Sequence, residues 1–266
     1  MLRFSGAGVS DVGRVRPHNE DAAFLGPYVA IVADGVGGAA AGEVASATSA
    51  YVVAATALAH FGEDPGQVLV RGVEEAHASV RAGVVADPER TGMATTLTAV
   101  ATDGYRAVLA HVGDSRAYLL RDGDLRQLSR DHTYVQHLVD SGQLDADARA
   151  GHPWSNVVLR SLDGGPESSL DLTELDLQVG DRLLLCSDGL TDLVPELEIA
   201  EALKGLADPH AAASILVHAA NTAGGRDNVT CLVLDVEIGP LVIGDGTVLG
   251  ALADPTNIVD PASVHA

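Results

Sequence analysis

The sequence predicts an α+β fold, a layered arrangement in which turn-linked strand pairs build the sheets and helices arrive in separate blocks. Three observations carry this prediction. Short apolar runs such as Tyr28–Ala33 and Arg182–Ser187 have the length of buried strands. Asp103-Gly104 and Asp122-Gly123 separate neighbouring strand-like segments, as hairpin turns do. The long Ala- and Val-rich stretches follow one another instead of alternating strictly with strands.

Taken in order, Tyr28–Ala33 reads as a strand that ends at Asp34 and a glycine cluster. Ala40 to about Phe61 reads as a long helix closed by Gly62 and Pro65, and Gln67–Val85 as a second. Thr95–Ala101, Ala107–Val112 and Ala117–Leu120 read as strands. The stretch Ser129–Gly165 breaks this rhythm with short helical pieces, Gly142, Gly151 and Pro153, and is expected to be an inserted, weakly packed flap. Arg182–Ser187 is then a central strand, Pro195–Leu206 and Pro209–Asn221 are helices, and Val229–Val236 closes the main body. Beyond Glu237 only Asp245, Asp254 and Asp260 carry charged side chains. Residues 238–266 are therefore expected to form an appendage. Its Leu241–Leu249 stretch, two aliphatic runs around Gly244-Asp245-Gly246, has the pattern of a hairpin.

Composition narrows the function. The 266 residues include 37 acidic and 16 basic side chains, a net charge of −21, with 47% hydrophobic residues. That is a folded chain whose charge repels nucleic acid and anionic membranes and suits divalent cations. Two cysteines, Cys186 and Cys231, exclude a disulfide scaffold and a thiolate zinc cluster. No apolar run approaches the ~20 residues of a membrane span, and Met1–Ser10 lacks the form of a secretory signal, so the expected address is cytoplasmic.

The chemistry is expected where acids meet strand ends. Asp34, Asp188 and Asp227 sit in glycine-flanked turns, Asp114 follows another strand, and Asp21 precedes the Tyr28 strand. One Asp-Gly is ordinary turn chemistry. Five carboxylates at five strand boundaries can instead converge on one edge of a sheet, where hard divalent cations with oxygen ligands relieve their repulsion. Other readings of the same residues fail. Gly35–Ala40 matches G-x-G-x-x-A only loosely, and Asp34 would set a carboxylate against a dinucleotide's pyrophosphate. A cysteine phosphatase would need an arginine about six positions after its thiolate, yet Asp192 and Glu237 stand there. The ten histidines show no paired helical metal spacing, and His60, His77, His210 and His218 are expected on helix surfaces.

Ordered motifs then carry a resemblance. Ser10–Gly13, Arg16–Asp21 and Ala33–Gly38 resemble the opening of the metal-dependent type 2C Ser/Thr protein phosphatases, the PPM family. Gly92–Thr96, Val112–Arg116, Leu185–Asp192 and Arg226–Thr230 resemble its later motifs in sequence order, over about residues 5–236. Residues 1–237 are thus expected to be a PPM-type domain of the compact bacterial kind, with the flap at about 129–165. The resemblance implies a four-layer α-β-β-α sandwich, the flap near its metal site, and two Mn²⁺ or Mg²⁺ ions with room for a third. It implies that Asp34 bridges the two metals, that Gly35 offers its carbonyl, and that Asp188 and Asp227 complete one shell. Glu20 and Asp21 would hold waters of the other metal, Asp114, Asp188 and Asp192 would form the third-metal site, and Arg16 would grip phosphate. The implied partners are phosphorylated proteins, Ser/Thr kinases or their targets, and the reaction is attack of a metal-bridging water on phosphorus.

Some positions depart from that pattern. Val36 and Ala39 stand where family members often carry a histidine, and Ala94 replaces a commoner glycine. His152 in the flap is either a substitute general acid or a surface residue. The alternative function is a catalytically weak, phosphoprotein-binding regulatory module of the same fold. A metal-dependent nuclease would need a basic groove, and the chain has one lysine, Lys204. Because every metal-binding block precedes Ile238, the tail is expected to be dispensable for activity.

Overall fold

Alternating apolar side chains on the central strands pack two antiparallel sheets face to face, with a helical layer outside each. The computed structural model describes residues 1–36, 41–165, 169–242, 244 and 246–259. Of the sequence motifs, Gly37, Gly38, Ala39 and Ala40 lie outside the described residues, as do Ile243, Asp245 and Asp260. The first half of the chain runs β1 (Leu2–Asp11), β2 (Ala22–Leu25), β3 (Val29–Ala33), β4 (Gly35–Val36), α1 (Gly42–Ala59) and α2 (Pro65–Ala86). Next come β5 (Ala94–Thr95), β6 (Leu97–Thr102), β7 (Ala107–Val112), β8 (Arg116–Arg121), β9 (Asp124–Gln127) and α3 (Tyr134–Asp140). The rest comprises β10 (Asp171–Leu175), β11 (Arg182–Cys186), α4 (Asp188–Thr191), α5 (Glu196–Gly205), α6 (Pro209–Thr222), β12 (Val229–Ile238) and β13 (Thr247–Gly250).

One sheet has the order β1-β12-β11-β8-β9, the other β10-β7-β6-β3-β2-β13. On β11, Leu183 and Leu185 point between the sheets while Leu184 and Cys186 point to the α5–α6 layer. On β3, Ala30 and Val32 face the other sheet, and Val29, Ile31 and Ala33 face α1 and α2. Burial on both sides explains the uninterrupted apolar runs of these strands. The α+β class and the four layers agree with the sequence, and Asp122 and Gly123, both at positive φ, form the tight turn between β8 and β9.

The flap is rooted more firmly than the sequence suggests. Leu162 is buried in the α1–α2 core and its backbone pairs with Thr95, while Arg116 clamps Asp131 with Nε–Oδ1 at 2.9 Å and Nη2–Oδ2 at 2.6 Å. Its middle is open, with Trp154 and Leu159 about half exposed. One further expectation needs correction. His77 is buried, its Nε2 2.7 Å from the Gly165 carbonyl, because α2 turns that face toward the end of the flap. Ile243 and Asp245 of the expected tail hairpin lie outside the described residues, and among the described residues Leu241 and Val242 are in no strand. The tail's second run pairs antiparallel with β2, which gains a neighbour for its outer edge, and Ala251, Leu252 and Val259 enter the core.

Candidate metal centre

Five strand boundaries meet at one end of the sandwich. β3 and β7 run in the same direction on either side of β6, so Asp34 and Asp114 leave the sheet at the same end. β2 runs against β3, which brings its preceding residue, Asp21, there too. In the other sheet Asp188 follows β11, and Asp227 precedes its antiparallel neighbour β12. The sequence-predicted acids are therefore gathered from both sheets.

Backbone contacts fix each of them. The Asp34 amide donates to Thr96 Oγ1 at 3.0 Å and its carbonyl accepts from the Thr96 amide at 2.8 Å. Gly35 passes so close to α1 that a Cβ there would lie 2.6 Å from the Gly42 carbonyl carbon, which requires glycine. Asp188 opens the short α4. Asp21 is fully buried; Ser187 Oγ donates to its Oδ2 at 2.7 Å, while its buried Oδ1 has no hydrogen-bond partner among the described residues. Glu20 turns toward the start of α1, where a Cβ on Gly42 would lie 2.7 Å from its Oε2. Arg16 lies at the rim, its Nη2 donating to Asp227 Oδ2 at 2.7 Å, so the expected phosphate-gripping group is paired with one of the acids.

Asn228, to which the sequence reading assigned no role, organises this loop. Its Oδ1 accepts from the Glu20 amide at 2.8 Å, and its Nδ2 donates to the carbonyls of Val12 and His18, both at 2.9 Å. The signal that pointed to it was its place beside Asp227 in the Arg226–Thr230 block.

A cleft of about 340 Å³ opens beside the acids, lined on one side by Asp114, Asp188, Asp192 and Asp227 and on the other by Thr133, Ser155 and Asn156 of the flap. His152 is not among its lining residues; its Nδ1 accepts from the Trp154 amide at 3.2 Å. Burial and the facing carboxylates push up the affinities of Asp21, Asp34, Asp114 and Asp188 for protons. Desolvation, then Asp21, Asp188, Asp114 and Asp227, hold Asp34 well above the usual carboxylate range. Desolvation followed by Asp114 does the same to Asp188. Burial raises Asp21 to about 6 and Asp114 to about 7, and it also raises Glu20 and Asp192.

This donor set fits Mn²⁺ or Mg²⁺. The cluster's side-chain donors are carboxylate oxygens, the like charges are packed in low dielectric, and Asp21 Oδ1 lacks the partner a buried carboxylate oxygen requires. Among the described residues no three acids already close on one point as a preformed cage would. Hard cations that keep several waters use one or two carboxylates per ion, so facing acids without a cage suit them.

The raised affinities have a consequence for stability. Acids whose pKa is higher folded than unfolded contribute stability below about pH 4, and they lose it as pH rises through their folded values, here about 6 to 7 for Asp21 and Asp114. In EDTA the melting temperature is expected to fall between pH 5 and 8. Asp34→Asn should melt at least ~2 °C above the unaltered protein at pH 8, the shift for about 1 kcal/mol in a chain of this size. Scanning calorimetry checks this, and equal melting of the two proteins at pH 8 contradicts it.

The protein phosphatase 2C family model matches residues 17–224. The chain is 44% identical over 241 residues to the serine/threonine protein phosphatase PstP of Mycobacterium tuberculosis, across 89% of this chain and 45% of that protein. It thus spans about half the length of this relative. It is 36% identical over 239 residues to the serine/threonine phosphatase stp of Listeria monocytogenes, across 86% of this chain and 94% of that protein. The fold is similar to the crystal structure of the PstP catalytic domain in complex with two manganese ions, with a TM-score of 0.80, 42% identity, and coverage of 89% of this chain and 99% of that one.

Proposed function

Because the chain belongs to the protein phosphatase 2C family, we propose that it is a metal-dependent phosphatase acting on phosphoserine and phosphothreonine in proteins. The observation that carries this reading is the gathering of Asp21, Asp34, Asp114, Asp188 and Asp227 at one end of the sandwich, with Asp21 and Asp114 buried and the repulsion among these acids calling for divalent cations. Asp34, the Gly35 carbonyl, Asp188 and Asp227 would hold two Mn²⁺ or Mg²⁺ ions, with Glu20 and Asp21 binding waters of the second. Asp114, Asp188 and Asp192 would form a third site. When bound, the ions supply Lewis-acid charge that activates water for in-line attack on a phosphomonoester.

The chain's own residues do the rest. Arg16, nearly half exposed at the rim, supplies a planar fork of donors for phosphoryl oxygens, and Asp227 keeps that fork over the acids. Asn228 holds the Arg16–Glu20 loop against β12. Thr133, Ser155 and Asn156 give the cleft a polar wall for the peptide flanking the phosphorylated residue. Phosphorylated Ser/Thr kinases and their targets are the partners we infer.

The test is release of phosphate from a phosphothreonine peptide. Hydrolysis supported by Mn²⁺ or Mg²⁺ and abolished by EDTA is expected. Peptide binding without hydrolysis under any metal would overturn the enzymatic reading and leave a regulatory phosphoprotein-binding module in its place.

A further inference from the structure

We infer that the C-terminal segment Thr247–Val259 is a strap that positions Asp21 for metal binding through the Ala251 amide. The inference rests on the role given above to Asp21, and it reverses the expectation that the tail is dispensable for activity. The segment lies beyond residue 224, where the family match ends.

Its path leads directly to the centre. β13 pairs with β2 from Thr247↔Leu25 to Gly250↔Ala22, so the last rung of the ladder abuts Asp21. The Ala251 amide then donates to the Asp21 carbonyl at 2.7 Å. Gly250 permits the approach: its φ is +62°, and a Cβ there would lie 2.1 Å from the Asp21 carbonyl oxygen and 2.9 Å from Ser10 Oγ.

Asp21 is consequently held at three points. Its amide donates to Asn19 Oδ1 at 3.1 Å, its carbonyl accepts from Ala251, and its Oδ2 accepts from Ser187. The remaining oxygen, Oδ1, is buried and has no hydrogen-bond partner among the described residues. Fixing the carbonyl fixes the peptide plane from which that carboxylate projects, so the strap sets where Oδ1 stands.

The strap is itself anchored to the helix that borders the acids. Leu252 is buried in the α1–α2 core, and Asn257 Nδ2 donates to the Ala251 carbonyl at 2.9 Å. The Val259 amide donates to Thr48 Oγ1 on α1 at 3.0 Å. Removing the tail would therefore release Asp21 from one of its three holds and expose the outer edge of β2.

The experiment titrates Mn²⁺ alone by calorimetry into the 266-residue chain unaltered and with each of two substitutions. Ala251→Pro deletes the amide proton at the first position of a 3-10 turn and sets the ring Cδ against the Asp21 carbonyl, so it both removes the hydrogen bond and displaces its acceptor. It is expected to weaken Mn²⁺ binding at least about fivefold, the worth of one hydrogen bond. Leu252→Ala keeps the amide but leaves a core cavity, so it should lower the melting temperature by several degrees with Mn²⁺ affinity unchanged. Should Ala251→Pro fail to fold, Gly250→Ala presses a methyl toward the Asp21 carbonyl and is expected to weaken Mn²⁺ binding at least as much. Wild-type Mn²⁺ affinity in the folded Ala251→Pro or Gly250→Ala protein, or an equal loss in Leu252→Ala, would overturn the strap. Failure of the unaltered protein to bind Mn²⁺ would overturn the function proposed above, and the strap with it.

Discussion

Asp34→Ala is expected to lower kcat/KM for phosphoester hydrolysis in saturating Mn²⁺ by at least ~1,000-fold, about 4 kcal/mol of transition-state stabilisation. Asp227→Ala is expected to do the same. Asp34 faces four other carboxylates from both sheets, so its removal takes away the one acid that all of them share. Asp227 has a second task, since it anchors the Arg16 guanidinium at 2.7 Å, and its loss leaves that side chain without its partner. Neither substitution should unfold the protein, because Asp34→Ala relieves repulsion among like charges and Asp227 is a half-buried side chain at the rim. Circular dichroism establishes the fold and initial rates establish the loss. Full activity in either folded variant would end the binuclear reading.

Asn228→Ala should have the next largest effect. Asn228 is buried, and truncation removes three hydrogen bonds at once, from the Glu20 amide and to the Val12 and His18 carbonyls. At about 1 kcal/mol each, the loss is roughly 3 kcal/mol, or a fall of about 6–12 °C in melting temperature. The loop it holds carries Arg16 and Glu20, so kcat/KM should fall at least ~10-fold as well, with the larger part in KM. Urea denaturation and steady-state kinetics check both parts. A variant with lowered stability but unaltered KM would make Asn228 purely structural.

What the sequence discloses follows from how local each signal is. β3, β11 and β12 are buried on both faces, so their apolar runs stand out without knowledge of any partner. β1 is concealed by its own packing. A Cβ on Gly6 would lie 2.3 Å from the Val233 carbonyl oxygen and one on Gly8 2.3 Å from Leu232 Cδ2, so small residues stand where apolar ones would have marked a strand. β10 is a largely exposed edge strand without an apolar run. The acids are legible because each sits at a strand end within a recognisable motif. The bonds of Asn228 reach residues 210 and 216 positions away, and β13 pairs with a strand near the N-terminus, so neither has a local signature. The same holds for His77, whose partner Gly165 is 88 positions away.

On the proposed function, the acids at the end of the sandwich hold two divalent cations. Counting Mn²⁺ bound at equilibrium, from the electron paramagnetic resonance signal of the free ion, tests it most directly. The unaltered protein is expected to bind two ions tightly, and Asp34→Ala and Asp227→Ala at most one. No bound Mn²⁺ in the unaltered protein, or two tight ions in both variants, would contradict it.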